Sequence, residues 1–321
     1  MPNGLPLRRF DSGNFPRYFP GVVVPEVRDA MLESLRYTPD CDDAVSGEYL
    51  KDLQTQRERI AQYYRVTDPG HIFFTAGISG AIQTIQQLLL LNTGMHVAIP
   101  NLTYPTHLAV ATMLVGRGGI DPIERNPKTG LPDVDRYDER NNPFRLAGLA
   151  TVVTHENPLP IVHTPEVYRN DRMTGLFDLA EQATLRDGIL RPFVVDVIYM
   201  SMSWPERQLT IDNLIKLADE KHILIFTNSA SKVMLEPGKR AGVIAVYVPT
   251  KLRGYAAGGL IRGLESMFDL GLNPQSYTSV EGLVAAHDIF IAERNGTAHP
   301  TLNYIRNEAR RRFIGDDGYW G

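Results

Sequence analysis

The chain has 321 residues, a length typical of about two domains. Apolar residues make up 43% and charged residues 22% of it, as in an ordinary soluble globular protein. The net charge of -4 gives no indication of nucleic-acid binding, and a single cysteine excludes an internal disulfide framework. The sequence contains no run of about 18 apolar residues and no signal peptide, so we expect a cytoplasmic protein without membrane binding.

The first 24 residues are rich in proline, glycine and aromatic residues, which predicts an irregular arm. A short helix is predicted over residues 25–35, where Pro25 suits the first turn. A second is predicted over residues 48–64, because apolar residues recur there at mostly helical spacing. The segment between them carries three aspartates, a proline and a glycine, which indicates a loop. At the other end of the chain, helical patterns cover residues 281–292 and 302–313, and the last of these is strongly basic.

Apolar runs and helical segments alternate through the middle of the chain. The predicted strands cover residues 71–75, 95–100, 149–154, 192–197, 223–227 and 242–248. The predicted helices between them cover residues 79–91, 104–115, 176–186 and 211–220. This alternation indicates an α/β fold with a mainly parallel sheet and helices on both faces. Because such sheets bind ligands beyond the carboxyl ends of their strands, functional side chains are expected just after the strands.

The clearest chemical signal follows the apolar run that begins at Ile223. The strand runs out into Ser229, Ser231 and Lys232, and Arg240 comes eight residues later. A lysine at the mouth of a strand can lose its hydration, which lowers its pKa and makes it a nucleophile for a carbonyl carbon. Serine hydroxyls and an arginine can hold a phosphate dianion beside it. The segment therefore predicts a reactive amine next to an anion site.

The spacing S-x-S-K-x-x-x-x-P-G-x-R-x-G in this segment resembles the lysine signature of class I/II aminotransferases. These enzymes have the type I fold of pyridoxal phosphate (PLP) enzymes. The resemblance implies that Lys232 forms the aldimine with PLP and then moves the substrate proton as general acid and base. It also implies that Ser229, Ser231 and Arg240 bind the cofactor phosphate.

Asp196 ends the next buried run upstream, 36 residues before Lys232. A carboxylate at a strand end can pair with a protonated pyridine nitrogen and keep the ring an electron sink. Asp196 and Tyr199 match the D-x-x-Y pattern of the family. The resemblance implies that Asp196 holds the ring nitrogen and that Tyr199 hydrogen-bonds the ring phenolate oxygen, so both are predicted to be catalytic.

The turn that follows the first strand resembles the family's T-x-G-x-x-x-A-L turn. The resemblance places Gly77, Ile78 and Ser79 against the cofactor phosphate, and free backbone N–H groups at a helix N-terminus favour an anion there. A P-x-x-x-Y segment resembles the family region that supplies an aromatic ring, which implies that Tyr104 stacks on the pyridine face. Asn157 is implied to bond the phenolate oxygen, although its segment matches only in part and Asn157-Pro158 also fits a simple turn.

A tyrosine near the predicted N-terminal loop reaches the phosphate of the other subunit in this family. Tyr37 is the candidate here, with Tyr49 as a competing choice. The resemblance thus implies a homodimer with a shared active site.

The resemblance covers residues 15–313, and the family usually continues for about 80–100 residues more. We expect an N-terminal arm with part of a small domain in residues 1–45, a PLP-binding large domain in 46–295, and a helix towards a reduced small domain in 296–321. Three explanations for the shorter length stay open: an incomplete product of a longer gene, a missing domain supplied by a separate chain, and a natural short form of the enzyme. Arg17, Arg28 and the arginines of 306–312 are candidates for binding a substrate carboxylate, and no spacing selects one.

The implied function is PLP-dependent transamination of an amino acid or related amine with a keto acid, in amino-acid metabolism or biosynthesis. The same residues support elimination, replacement, decarboxylation or cyclisation, so a lyase or cyclase is an alternative. A catalytically impaired family member with a binding role is a further alternative, opposed by the intact Lys232 and Asp196. A dinucleotide enzyme is disfavoured because no G-x-G-x-x-G follows the first strand, and no metal site is expected.

Overall fold

The computed structural model describes residues 19, 21–35, 47–91, 96–100, 105–117, 120–124, 146–151, 192–198, 211–218, 221–231, 234, 240–269 and 277–313. Within these ranges the chain forms a seven-stranded sheet with helices packed on both faces.

The sheet is mixed but mainly parallel. Its strands are β1 (Ile72–Ala76), β2 (His96–Pro100), β3 (Ile120–Ile123), β4 (Leu146–Thr151), β5 (Phe193–Asp196), β6 (Leu224–Ser229) and β7 (Ala241–Tyr247). The spatial order is β1-β7-β6-β5-β4-β2-β3, and β7 runs antiparallel to both of its neighbours. The remaining pairs are parallel. The predicted α/β fold with a mainly parallel sheet is confirmed.

Nine α-helical segments lie within the described residues. They are α1 (Pro25–Ser34), α2 (Gly47–Tyr64), α3 (Gly77–Leu91), α4 (Pro105–Val115), α5 (Ile211–Ala218), α6 (Arg253–Ala256), α7 (Arg262–Asp269), α8 (Tyr277–Arg294) and α9 (Pro300–Phe313). A π-helical stretch, Ala257–Ile261, joins α6 to α7. In the part of the chain described here, no helix has both the length and the apolar character needed to cross a bilayer.

The two faces of the sheet build two separate hydrophobic cores. Because side chains alternate along a strand, Leu224 and Phe226 of β6 join one core and Ile225 joins the other. The first core includes side chains of α1, α2, α5, α8 and α9. The second includes side chains of α3, α4 and α7. The strands are thus buried on both sides, as their continuous apolar sequences predict.

Two parts of the structure were absent from the sequence expectations. Strand β3 was not predicted, and it contains Pro122, which cannot donate a ladder hydrogen bond. The structure accommodates this proline because β3 lies at the edge of the sheet and pairs with β2 alone. The helical segments between residues 253 and 269 were also missed, and the predicted helix over residues 176–186 lies outside the described residues.

A buried polar chain lies inside the first core. The Tyr64 hydroxyl and the Nε2 atom of His287 are 3.1 Å apart, and Nδ1 of His287 lies 2.8 Å from the carbonyl oxygen of Leu283. Tyr64 and His287 are fully buried. Burial lowers the pKa of His287 to about 4, although its hydrogen bond to Leu283 and the nearby Asp288 carboxylate both act to raise it. His287 is therefore neutral near pH 7.

This lowered pKa predicts a pH-dependent stability. Between pH 6.5 and 4, the unfolded chain protonates His287 and the folded chain does not, so the free energy of unfolding decreases as the pH falls through this window. The loss expected from this residue is about 3 kcal/mol. Urea unfolding at several pH values between 4.5 and 7 measures it, and His287→Gln, which cannot titrate, should show a shallower pH slope. Equal slopes for the two proteins would contradict the prediction.

Candidate functional site

The strand order brings the predicted site residues together at one end of the strands. This edge of the sheet is formed by strand termini and differs from the lateral edge where β3 lies. Strands β1, β6 and β5 end at this edge, and β7 begins there because it runs in the opposite direction. Gly242 of β7 pairs with Ser229 on one side and with Thr75 on the other. One strand further, Asp196 pairs with Thr227. The sequence positions that were predicted separately therefore lie on four adjacent strands.

The turn between β1 and α3 is held against the start of β7. Gly77 has a φ of 74°, a left-handed conformation that glycine adopts without strain. A Cβ atom on Gly242 would lie 2.7 Å from the carbonyl carbon of Gly77, so these two backbones approach too closely for any side chain. Immediately after the turn, the first N–H groups of α3, including those of Ile78 and Ser79, have no acceptor within the helix. The turn thus presents the positive end of a 15-residue helix at the sheet edge.

Arg240 lies against the same turn. Its guanidinium donates a hydrogen bond of 3.1 Å to the carbonyl oxygen of Ala76. A Cβ atom on Gly77 would be 3.2 Å from the guanidinium carbon, so the glycine allows the arginine to lie directly over it. Arg240 itself has a φ of 51°, an uncommon conformation for a residue with a side chain. The backbone is therefore bent to place a positive charge beside the helix N-terminus.

The two serines at the end of β6 are buried and linked. The Ser231 N–H donates to the Ser229 hydroxyl oxygen at 3.3 Å, and the Ser229 N–H donates to Oδ1 of Asn228 at 2.8 Å. Ser229 lies next to Gly242 in the ladder, and Gly242 adjoins the turn at Gly77. The serines, the helix N-terminus and Arg240 together supply polar groups suited to an anion.

Asp196 is the buried carboxylate of this edge. Its Oδ1 atom accepts a hydrogen bond of 3.1 Å from the N–H of Ile198, and its side chain is inaccessible to solvent. Its Oδ2 atom has no hydrogen-bond partner among the described residues. Nε2 of His107 on α4 lies 3.8 Å from that oxygen, and the neighbouring Thr227 hydroxyl is also buried without a partner in the described ranges. Burying a polar atom without a hydrogen bond lowers the stability of the fold, so a bound partner is expected at these atoms.

These residues fit the two ends of pyridoxal phosphate. The Oδ2 atom of Asp196 is a buried carboxylate oxygen without a hydrogen-bond partner in the described part of the chain, which suits a protonated pyridine nitrogen. Two and three strands away, at the start of β7 and the end of β1, the guanidinium of Arg240 and the turn at Gly77 form a positive cradle, which suits a phosphate. The two features lie at the same sheet edge.

The described residues include seven of the predicted site positions: Gly77, Ile78, Ser79, Asp196, Ser229, Ser231 and Arg240. The structure brings all seven to this edge, and their roles in cofactor binding stay predictions. The other predicted positions lie outside the described residues: Tyr37, Tyr104, Asn157, Tyr199 and Lys232. Sequence reasoning did not identify His107 and Thr227, two buried polar residues close to Asp196. A lone polar imidazole in the otherwise apolar α4 was the sequence signal for His107, but a buried histidine without a catalytic role has the same pattern.

Solved structures resemble this chain across most of its length. An aminotransferase from Escherichia coli is similar over 91% of this chain and 64% of its own, with 21% identity and a TM-score of 0.65. A double mutant of Thermus thermophilus aspartate aminotransferase covers 91% of this chain and 67% of its own, with 19% identity and a TM-score of 0.63. An alanine aminotransferase from Pyrococcus furiosus is similar over 92% of this chain and 66% of its own, with 18% identity and a TM-score of 0.63.

At these identities the structural similarity shows the fold alone, and the chain spans 64–67% of the length of these proteins. No curated protein sequence matches the chain. The family model described as aminotransferase class I and II, in contrast, matches residues 12–267, which is most of the sequence. The matched range contains every predicted site residue. On this match, the chain belongs to the class I and II aminotransferase family.

Proposed function

We propose that the protein is an aminotransferase that moves an amino group between an amino acid or related amine and a keto acid. Members of its family use pyridoxal phosphate. The observation that carries the proposal is the solvent-inaccessible Asp196, whose Oδ2 atom has no hydrogen-bond partner in the described ranges, at the same edge as the cradle of Gly77 and Arg240. An ordinary structural aspartate would be hydrogen-bonded at both oxygens or exposed to water.

The chain's own residues have distinct tasks in this proposal. Arg240 and the N-terminus of α3 hold the phosphate, and Asp196 keeps a positive charge at the ring nitrogen. His107, on α4, has its Nε2 atom 3.8 Å from Oδ2 of Asp196 and helps to orient that carboxylate. Lys232 links the cofactor covalently and moves the proton at the substrate α-carbon. When bound, pyridoxal phosphate withdraws electrons from that carbon.

The finer features of the proposal rest on the sequence and on the family. We propose a cytoplasmic homodimer in which Tyr37 of one subunit reaches the active site of the other. We also propose that residues 46–295 form the cofactor-binding domain, with 1–45 and 296–321 contributing to a small domain. Cross-linking and light scattering of the purified protein measure the oligomeric state.

The direct test is to add pyridoxal phosphate to the purified full chain, reduce it with borohydride and map the modified peptide by mass spectrometry. We expect a visible absorbance band that borohydride abolishes and a cofactor adduct on Lys232. Lys232→Ala should show neither, because it lacks the amine, whereas Lys216→Ala removes an exposed amine on α5 and should keep both. A wild-type protein without band or adduct would reject the proposal.

Product analysis then separates transamination from the alternative reactions of the same fold. Amino donors incubated with the loaded protein and a keto acid should yield a new amino acid and a new keto acid in equal amounts. Release of ammonia or carbon dioxide would indicate a lyase or decarboxylase instead. Formation of the adduct without turnover of any donor would favour the impaired family member with a binding role.

A further inference from the structure

A chain of hydrogen bonds runs from α8 through α2 to the end of β6. His287 of α8 bonds the carbonyl oxygen of Leu283 and the hydroxyl of Tyr64, at 2.8 Å and 3.1 Å. The side chain of Asn228 faces the Tyr64 hydroxyl and acts to lower the pKa of Tyr64, against the larger effect of burial, which raises it. Oδ1 of Asn228 accepts the N–H of Ser229 at 2.8 Å. We call these four linked groups, Leu283, His287, Tyr64 and Asn228, the α8–β6 chain.

The donors and acceptors of the α8–β6 chain can be assigned from one end to the other. The carbonyl oxygen of Leu283 only accepts, so Nδ1 of His287 must carry a proton. The ring is neutral because burial lowers its pKa to about 4, so Nε2 accepts and the Tyr64 hydroxyl must donate to it. The Tyr64 oxygen is then free to accept from the amide nitrogen of Asn228, and the amide oxygen of Asn228 is left for the Ser229 N–H. Each group therefore has one orientation that satisfies its neighbours.

The α8–β6 chain lies on one face of the sheet and ends beside a residue of the opposite face. Asn228 points into the first core, where Tyr64 stacks on Phe226 with ring centroids 5.5 Å apart. Ser229 follows it in β6 and projects towards the opposite face, because successive side chains of a strand alternate. Ser229 is the residue whose hydroxyl accepts the N–H of Ser231 at the proposed anion site. The orientation of Asn228 thus bears directly on the backbone that carries both serines.

We propose that Tyr64, His287 and Asn228 are positioning residues that fix the backbone at Ser229 and Ser231 for binding the cofactor phosphate. This inference rests on the proposed function, which makes these serines part of the phosphate site. Water cannot replace a lost member, because Tyr64 and His287 are fully buried. Removal of one group leaves its neighbours unsatisfied and frees the strand end to move.

The test compares two neighbouring tyrosines of α2. Tyr64→Phe removes the hydroxyl that joins His287 to Asn228. Tyr63→Phe is the matched control: Tyr63 is also buried and packs edge-on against the His287 ring, with centroids 5.4 Å apart, but lies outside the α8–β6 chain. We expect Tyr64→Phe to weaken pyridoxal phosphate binding about tenfold and Tyr63→Phe to leave it nearly unchanged.

A readout without cofactor separates this inference from the proposed function. In the apo protein, hydrogen exchange of the peptide covering residues 224–231 should be faster in Tyr64→Phe than in Tyr63→Phe or the wild type. A second pair of variants covers the case in which Tyr64→Phe does not fold. His287→Gln retains an acceptor and a donor, so it should keep the wild-type exchange rate and cofactor affinity. His287→Leu retains neither group, so it should exchange faster and bind the cofactor more weakly.

The outcomes are distinct. A wild type that does not bind pyridoxal phosphate refutes the proposed function, while faster exchange in Tyr64→Phe would still show that this hydroxyl orders the strand end. A wild type that binds, with Tyr64→Phe equal to Tyr63→Phe in both affinity and exchange, overturns the positioning role. Equal losses in His287→Gln and His287→Leu overturn it as well, because packing rather than hydrogen bonding would then decide.

Discussion

Replacing Asp196 with asparagine is expected to lower turnover on the order of 10³-fold while leaving most of the cofactor affinity intact. Asparagine has the same shape, so its amide oxygen can still accept the N–H of Ile198. The group at the position of Oδ2 becomes a neutral donor and no longer stabilises a positive charge on the ring nitrogen. Loss of one partner of a buried ion pair costs about 3–5 kcal/mol, which corresponds to roughly 10²- to 10⁴-fold in rate.

The measurement is kcat and KM for the best amino donor, together with a cofactor titration. Asp212→Asn is the matched control, because Asp212 pairs with Arg65 at 2.8 Å on a half-exposed surface of α5. We expect the control to keep wild-type kinetics. If Asp196→Asn loses cofactor binding as completely as turnover, Asp196 holds the site together rather than tuning the ring. If it keeps most of its turnover, the proposed pairing is wrong.

The sequence predicted the parts of the site that depend on residue type and on strand ends. Asp196 and Ser229 follow from buried apolar runs that end in polar residues, and the structure places both at one edge. The direction of β7 was not predictable, because an apolar run has the same pattern in a parallel and an antiparallel strand. That direction decides the geometry, since it brings Gly242 next to both Ser229 and Thr75.

Long-range contacts account for most of what the sequence did not predict. His107 and Asp196 lie far apart in the chain, and only the packing of α4 on the sheet brings their side chains within 3.8 Å. The link from Tyr64 to His287 likewise depends on the docking of α2 against α8. Local patterns specify elements, whereas partners across elements emerge from the strand order and from the cores on the two faces.

Gly242→Ala is expected to destabilise the fold by about 1–3 kcal/mol and to weaken pyridoxal phosphate binding on the order of 100-fold. The added methyl group would lie 2.7 Å from both the carbonyl carbon of Gly77 and the Thr75 hydroxyl oxygen. A backbone atom cannot rotate away as a side chain does, so the turn before α3 must shift. The N–H groups of that turn and the guanidinium of Arg240 would then no longer converge on one anion.

Gly254→Ala separates this effect from the general consequences of replacing a glycine. Gly254 lies in α6, where an added Cβ atom meets nothing within 4 Å, so alanine there should be neutral or slightly stabilising. Urea unfolding and cofactor titration of both variants give the comparison. Because the clash at Gly242 is with the turn at Gly77, which is proposed to bind the phosphate, cofactor affinity should fall in the folded variant by more than its loss of stability explains. Wild-type affinity in a folded Gly242→Ala protein would show that the approach of β7 to the turn does not shape the anion site.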